Sequence, residues 1–351
     1  MSQLALAPTM GGMAAPRARR RPAPPALPLA AAPAAGHTPV LLPELIELLR
    51  PRPGETAVDG TLGAGGITRA LLDHVLPGGR VLALDRDPAA ISLASHRFAE
   101  SEGALLLETG SFADAAAVSA RHGLRVDIVV LDLGVSSLQL DDPQRGFSLR
   151  QDGPLDMRLD PGAGGVSASD LVNTVPEDEL RGLLRDNGGE RFAGRIAHAI
   201  VRERGRRRIT RTAELAALCA QAVPRRLWPR HIHPATRSFL ALRIAVNDEL
   251  GELERGLPNL IRLLRPGGRV GVVSFHSLED IRVKRLLSRL STACTCPPSQ
   301  PVCTCAHRAT LSLLNRRAVM PGAAECLRNP RARSARLRAA VRLPDRDPVP
   351  A

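Results

Sequence analysis

The chain has 351 residues, a formal net charge of +13 and 44% hydrophobic residues. That length suits two domains or one core carrying an insertion, and the composition excludes a wholly disordered or collagen-like chain. No run of about 18 consecutive apolar residues offers a membrane span. Lys284 is the only lysine, the other 47 basic residues are arginine and tyrosine is absent, so the composition favours arginine throughout. Its placement is more informative than its sum. Residues 37–194 carry 14 Arg against 24 acids, whereas 195–243 carry 12 against two and 306–351 carry ten against three. A uniform bias would not segregate charge in this way, and the two basic blocks predict a nucleic-acid partner. With six Phe and one Trp, recognition is expected to rest on arginine and shape, first of all at Arg206, Arg207, Arg208, Arg225, Arg226 and Trp228.

Residues 1–36 consist largely of Ala, Pro and Gly with four Arg and no acid, and read as a disordered tail. Their prolines break the amphipathic helix of a transit peptide and no secretory h-region is present, so a cytoplasmic protein is expected. From residue 37 short apolar runs alternate with helical spacing, the signature of a parallel sheet wrapped by helices. Strands are predicted at Thr56–Asp59, Arg80–Asp85, Ala104–Leu107 and Val126–Asp132, the buried parallel kind. After Gly134 the strand pattern stops, and Pro176–Leu184 and Thr212–Ala222 have helical spacing. Leu260–Leu264, a Pro-Gly-Gly turn and Arg269–Phe275 resume the helix, turn and strand order. The fold class expected is α/β with a split core: 37–140, an inserted helical RNA-recognition domain at 141–240, and 241–351 with a Cys-rich loop and a basic C-terminal tail.

Gly60, Gly63, Gly65 and Gly66 follow the first strand and open the helix from Ile67, where backbone N–H groups and the helix dipole favour an anionic ligand group. The dinucleotide fingerprint needs a third glycine at position 68, which is Thr68, so NAD is the weaker reading. Asp85, at the end of the second strand, is placed to accept hydrogen bonds from ribose hydroxyls, and Asp59 to meet an ammonium group.

Longer blocks sharpen this. H-T-P-V-L-L from His37, D-G-T-L-G-A-G-G from Asp59, D-L-G-V-S-S from Asp132 and R-G-F-S from Arg145 occur in that order. G-P-L-D-M-R from Gly153, G-E-R-F from Gly189, H-P-A-T-R from His233, S-F-H-S-L-E-D from Ser274 and N-P-R-A-R-S-A from Asn329 follow. Together, over about residues 37–340, the chain resembles the family of small-subunit ribosomal RNA cytosine-N4 methyltransferases, the MraW-like methyltransferase H family. The resemblance implies a class I, Rossmann-like methyltransferase core that binds S-adenosylmethionine at Gly65, Gly66, Asp85, Phe112, Asp132 and Gln139. It also implies 16S ribosomal RNA, or the small subunit, as partner. The chain departs from the family at Ile67, usually His, which leaves only a backbone contact there. It departs also at Leu138, usually Pro, at Leu240, usually Gln, and at Ile281-Arg282, an inverted pair. Oligomeric state stays open, a homodimer included.

Cytosine N4 is a poor nucleophile, so an enzyme must align it and accept its protons. Asp132 is the first candidate, Ser136 and Ser137 could orient the amino group, and His276, with Glu279 and Asp280 nearby, could relay a proton. A strand cap, a turn and a structural histidine are the plainer alternatives. No G-x-S-x-G elbow, P-loop lysine or H-E-x-x-H occurs, which removes acyl-transfer, nucleotide-hydrolysis and zinc-protease chemistry. An NAD-dependent reductase and a non-catalytic RNA-binding assembly factor are the rival functions. Cys294, Cys296, Cys303 and Cys305 form C-x-C-x6-C-x-C, a spacing suited either to one zinc ion or to four free thiols.

Overall fold

The computed structural model of the protein describes residues 39–345 except 102, 230, 231, 298, 301 and 306; the expected N-terminal tail lies outside the described residues. Seven strands form one sheet: β1 (Thr56–Asp59), β2 (Arg80–Asp85), β3 (Leu105–Thr109), β4 (Val126–Asp132), β5 (Leu264–Ser274), β6 (Leu311–Leu313) and β7 (Arg336–Arg342). Their order is β3-β2-β1-β4-β5-β7-β6, parallel through β5 and antiparallel at β7 and β6. Adjacent residues of each inner strand face opposite ways. Ala57, Val81 and Ile128 enter one apolar layer, while their neighbours Val58, Leu82 and Val129 enter the other. Burial on both faces explains why these strands read as unbroken apolar runs.

Helices cover both faces. Leu45 and Leu49 of α1 (Leu42–Leu49) and Leu71 and Leu72 of α2 (Gly66–Val75) belong to the first layer, and α3 (Pro88–Arg97) adds Ala94. Ala115 and Val118 of α4 (Ala115–Arg121) belong to the second layer. After α5 (Ser137–Asp141) the chain leaves the sheet for α6 (Ala168–Thr174), α7 (Glu177–Gly188), α8 (Ala193–Arg204), α9 (Thr212–Ala222) and α10 (Thr236–Asn247). These helices bury a separate apolar cluster that includes Leu180, Leu184, Ile196, Ile200, Leu215 and Phe239. The chain returns through α11 (Glu249–Leu263), β5 and α12 (Ser277–Ser291), then ends with β6, α13 (Ala323–Arg328) and β7.

The sheet order reverses between β1 and β4, and open α/β sheets bind ligands outside the carboxyl ends of their strands at such a switch point. The predicted turn at Arg265–Gly268 is four residues looped out of β5, since Leu264 pairs with Val126 and Arg269 already pairs with Ile128. The C-terminal region is not only a basic tail. Arg336–Arg342 is an inner strand, and Arg336 and Arg338 both clasp Asp280 of α12, at 2.8 and 2.6 Å.

Candidate active site

A cavity of about 300 Å3 opens at the carboxyl ends of β1, β2 and β4, near the lower limit for small-molecule sites. Its wall begins with the loop after β1. Gly65 has a left-handed φ of 78°, and a Cβ there would stand 2.7 Å from the Phe98 ring; one on Gly66 would meet Pro39 at 2.4 Å. Only glycine fits both positions, which brings bare backbone to the start of α2. Asp85 holds this loop from the next strand, accepting from the Gly63 N–H at 2.7 Å and the Asp87 N–H at 2.9 Å. Burial raises its carboxyl above the usual range, and these N–H bonds offset only part of that rise.

Asp87 is buried beside this wall. Its side chain caps α3 through the Ala89 N–H and accepts from Gln139 Nε2 at 2.9 Å and Arg145 at 2.6 Å. Arg145 also donates to the carbonyls of Arg158 and Leu159, and Asn247 bonds Met157 O and the Leu159 N–H. One polar chain therefore joins the loop after β2 to the segment that opens the helical layer.

Of the predicted cofactor residues, Gly66, Ile67, Asp85, Phe112, Asp132 and Gln139 line the cavity, whereas Gly65 turns the loop behind it against Phe98. Asp59 does not stand in it. It is fully buried beneath the loop, accepting from the Thr61 N–H and the Thr68 hydroxyl, and burial lifts its carboxyl to about 6. Thr68, the residue that breaks the dinucleotide fingerprint, thus has a local task.

Asp132 has one buried oxygen without a partner. Burial, then the charges of Asp59 and Glu279, push its carboxyl up to about 8. Ser136 lines the same cavity, but its hydroxyl caps α5 by accepting from the Gln139 N–H at 3.4 Å. Glu279 also lines it, and His276 lines the neighbouring cavity with Nε2 3.0 Å from Glu279 Oε1. Burial would raise Glu279, yet His276, Arg243 and the Phe275 N–H together hold it below the usual carboxylate range. The residues missed from sequence are Arg243 and Glu249, a bidentate pair with both contacts at 2.8 Å, together with Arg145 and Asn247.

An adenosine-bearing cofactor fits these residues. Gly66, which no Cβ could replace, lines the cradle, a carboxylate ends the second strand, Phe112 lines the wall, and Asp132 brings an unpartnered oxygen to the same cavity.

The four cysteines Cys294, Cys296, Cys303 and Cys305 converge in the loop between α12 and β6, far in sequence from this cavity, with sulfur separations of 3.4, 3.5, 3.8 and 3.9 Å. The predicted RNA contacts are engaged within the helical layer. Arg207 pairs with Glu203 and Glu214, Arg208 with Asp170, and Arg206 stands 3.9 Å from Glu203. Arg225 stacks over Trp228.

The sequence matches the MraW methylase family over residues 34–343. Similar curated proteins include those named ribosomal RNA small subunit methyltransferase H from Trichlorobacter lovleyi (48% identity, 88% of this chain and 98% of that one) and Thermomicrobium roseum (50%, 88% and 94%). The protein of that name from Geobacter sulfurreducens is 48% identical over 88% of this chain and 99% of its own.

Proposed function

Because the chain belongs to the MraW methylase family, whose members are S-adenosylmethionine-dependent ribosomal RNA methyltransferases, we propose that it methylates the N4 amino group of a cytidine in the decoding region of 16S ribosomal RNA. The observation that carries this reading is Asp132, a strand-end acid with a buried, unpartnered oxygen on the cofactor cavity and within the field of Glu279. A small-subunit RNA substrate supports the reading that the enzyme acts in the cytoplasm. No helix among the described residues is long and apolar enough to cross a membrane.

S-adenosylmethionine, when bound, supplies a methyl group on an electrophilic sulfonium. Asp85, with lone pairs left over from its two N–H bonds, would hold the ribose hydroxyls, Phe112 would offer its ring to the adenine, and the backbone of Gly63–Gly66 would hold the amino-acid end. A positive charge beside Asp132 would favour its carboxylate over the neutral acid that burial enforces. The carboxylate would accept a hydrogen bond from N4 and align the nitrogen, and it would take the N4 proton as the N–CH3 bond forms and the methyl–sulfur bond breaks, the electron pair staying on the sulfur of the leaving thioether. Glu279 and His276, which line the two cavities, would pass that proton outward. Ser136 supports the arrangement by fixing α5.

The assignment is tested by incubating the protein with radiolabelled S-adenosylmethionine and small ribosomal subunits from a strain that lacks the modification, then digesting the RNA to nucleosides. Label should elute as N4-methylcytidine. A reductase lacks support because its third glycine is Thr68, whose hydroxyl is bound to Asp59.

We further propose that Cys294, Cys296, Cys303 and Cys305 hold a structural zinc ion. Four sulfurs each about 2.3 Å from a central zinc lie about 3.8 Å apart, and the observed separations bracket that value. The Thr295 N–H donates to Cys305 Sγ and the Cys296 N–H donates to Cys294 Sγ, contacts that favour thiolate sulfur. The ion would tie a long connection that has little regular structure of its own. The purified protein should carry about one zinc per chain, and cobalt in its place should show thiolate charge-transfer absorption that is lost in Cys303→Ser. Four freely titrating thiols and no uptake of added zinc contradict the assignment.

A further inference from the structure

A second cavity, of about 960 Å3, adjoins the first and shares Val135, Leu140, Arg243, Phe275, Asn329 and Arg331 with it. These shared walls set the second cavity directly beside the one that Asp132 lines. Phe147, Phe239 and Phe275 give the second cavity an apolar lining. Arg150 and Arg328 line it as exposed residues, one from the segment that opens the helical layer and the other from the end of α13.

These two arginines stand apart from the others around the recess. Arg145 is spent on Asp87, Arg243 on Glu249 and Arg331 on Asp141, whereas the guanidiniums of Arg150 and Arg328 have no ion pair or hydrogen bond among the described residues. Two unpaired guanidiniums brought to one cavity from distant parts of the chain make a receptor for phosphate, which the planar fork binds in bidentate fashion. Glu44 and Glu325 line the same cavity, less exposed than the two arginines, and disfavour an anion beside them. The charge pattern thus selects a ligand that is anionic at the rim and neutral inside, as a nucleotide is when its base leaves the stack. Glu44 Oε2, buried and unpartnered, offers such a base or its ribose an acceptor.

Resting on the RNA methyltransferase reading, the geometry points to Arg150 and Arg328 as a clamp on the backbone phosphates that flank one unstacked nucleotide of a single-stranded RNA segment, whose base passes through the second cavity to Asp132. Phosphate contacts of this kind fix register and carry no sequence information, and they make binding depend on salt.

The test uses the full chain and a fluorescent single-stranded RNA whose sequence surrounds the methylated cytidine. For the parent, log Kd for this RNA is measured against log salt, and methyl transfer to small ribosomal subunits is scored in parallel. Arg150→Gln with Arg328→Gln should weaken binding at low salt and flatten the slope by about 1.4, at about 0.7 per lost contact on single strands. Affinity for S-adenosylmethionine should be unchanged, which also shows that the variant is folded. Arg150→Lys with Arg328→Lys should restore the slope. A parent that methylates subunits, with either no binding of the RNA or a Gln variant that binds it with the parental slope, would overturn the clamp alone. A parent that neither binds the RNA nor methylates subunits would overturn the clamp and the function together.

Discussion

Asp132 sits at the end of a buried strand, where an ionised carboxylate is costly, and two further acids add to that cost. Its pKa is raised to about 8 in the fold, against about 4 in the unfolded chain. The neutral form is therefore what folding favours, and the stability it contributes is fully present below about pH 4 and lost as the pH rises to about 8. Asp132→Asn removes the ionisation and keeps the size. In denaturation series the variant should gain on the parent by up to about 1.4 kcal/mol per pH unit between about 4 and 8 and then level off, while its methyl transfer falls sharply. A constant difference across that range would show Asp132 to be solvated. Asp85 poses a simpler question, because its free lone pairs are assigned to ribose. Asp85→Ala should weaken S-adenosylmethionine binding by about 1.5 to 3 kcal/mol in calorimetry, and unchanged affinity in a folded variant would withdraw the assignment.

At the level of elements, the joint between sheet and helical layer is the buried Arg145–Asp87 pair, with side chains 15% and 5% exposed. Arg145→Ala leaves Asp87 without its cation and frees the carbonyls of residues 158 and 159, so a loss of about 3 to 5 kcal/mol is expected in urea denaturation. Lys should recover little, since one ammonium cannot reproduce the planar fork. Met157, held by the same network, keeps a left-handed φ of 64°, a conformation that costs about 1 to 3 kcal/mol where β-carbons are present.

The elements also show what a reader of the sequence could and could not see. β1, β2 and β4 were legible at their observed bounds because burial on both faces leaves an apolar run that stops at an acid. β3 lies at the sheet edge, half-buried, and its observed span is shifted to Leu105–Thr109. β7 was hidden by its arginines. R-L-R-A-A-V-R counts as basic, yet Leu337, Ala339 and Ala340 are buried and the flanking arginines turn to Asp280. Strand-end site residues such as Asp85 and Asp132 could be found because their position is itself the signal. Arg145, Asn247, Arg243 and Glu249 could not, since nothing local in the sequence marks the partners to which the fold joins them.

Across the whole molecule, the excess of arginine divides into two populations. Most of those around the recess and in the helical layer neutralise specific acids, so net charge overstates the surface open to a polyanion. Exposed pairs such as Arg207–Glu203 and Arg208–Asp170 are screened by solvent, and Arg206→Gln, Arg207→Gln and Arg208→Gln together should leave thermal stability close to that of the parent. The recess between sheet and helical layer is proposed to methylate N4 of a small-subunit cytidine, and nucleoside mass spectrometry of 16S ribosomal RNA methylated in vitro by the parent and by Asp132→Asn tests this. N4-methylcytidine is expected with the parent and a near-complete loss with the variant, in which S-adenosylmethionine still binds. A methyl group on another base or atom, or full activity without the Asp132 carboxylate, would contradict it.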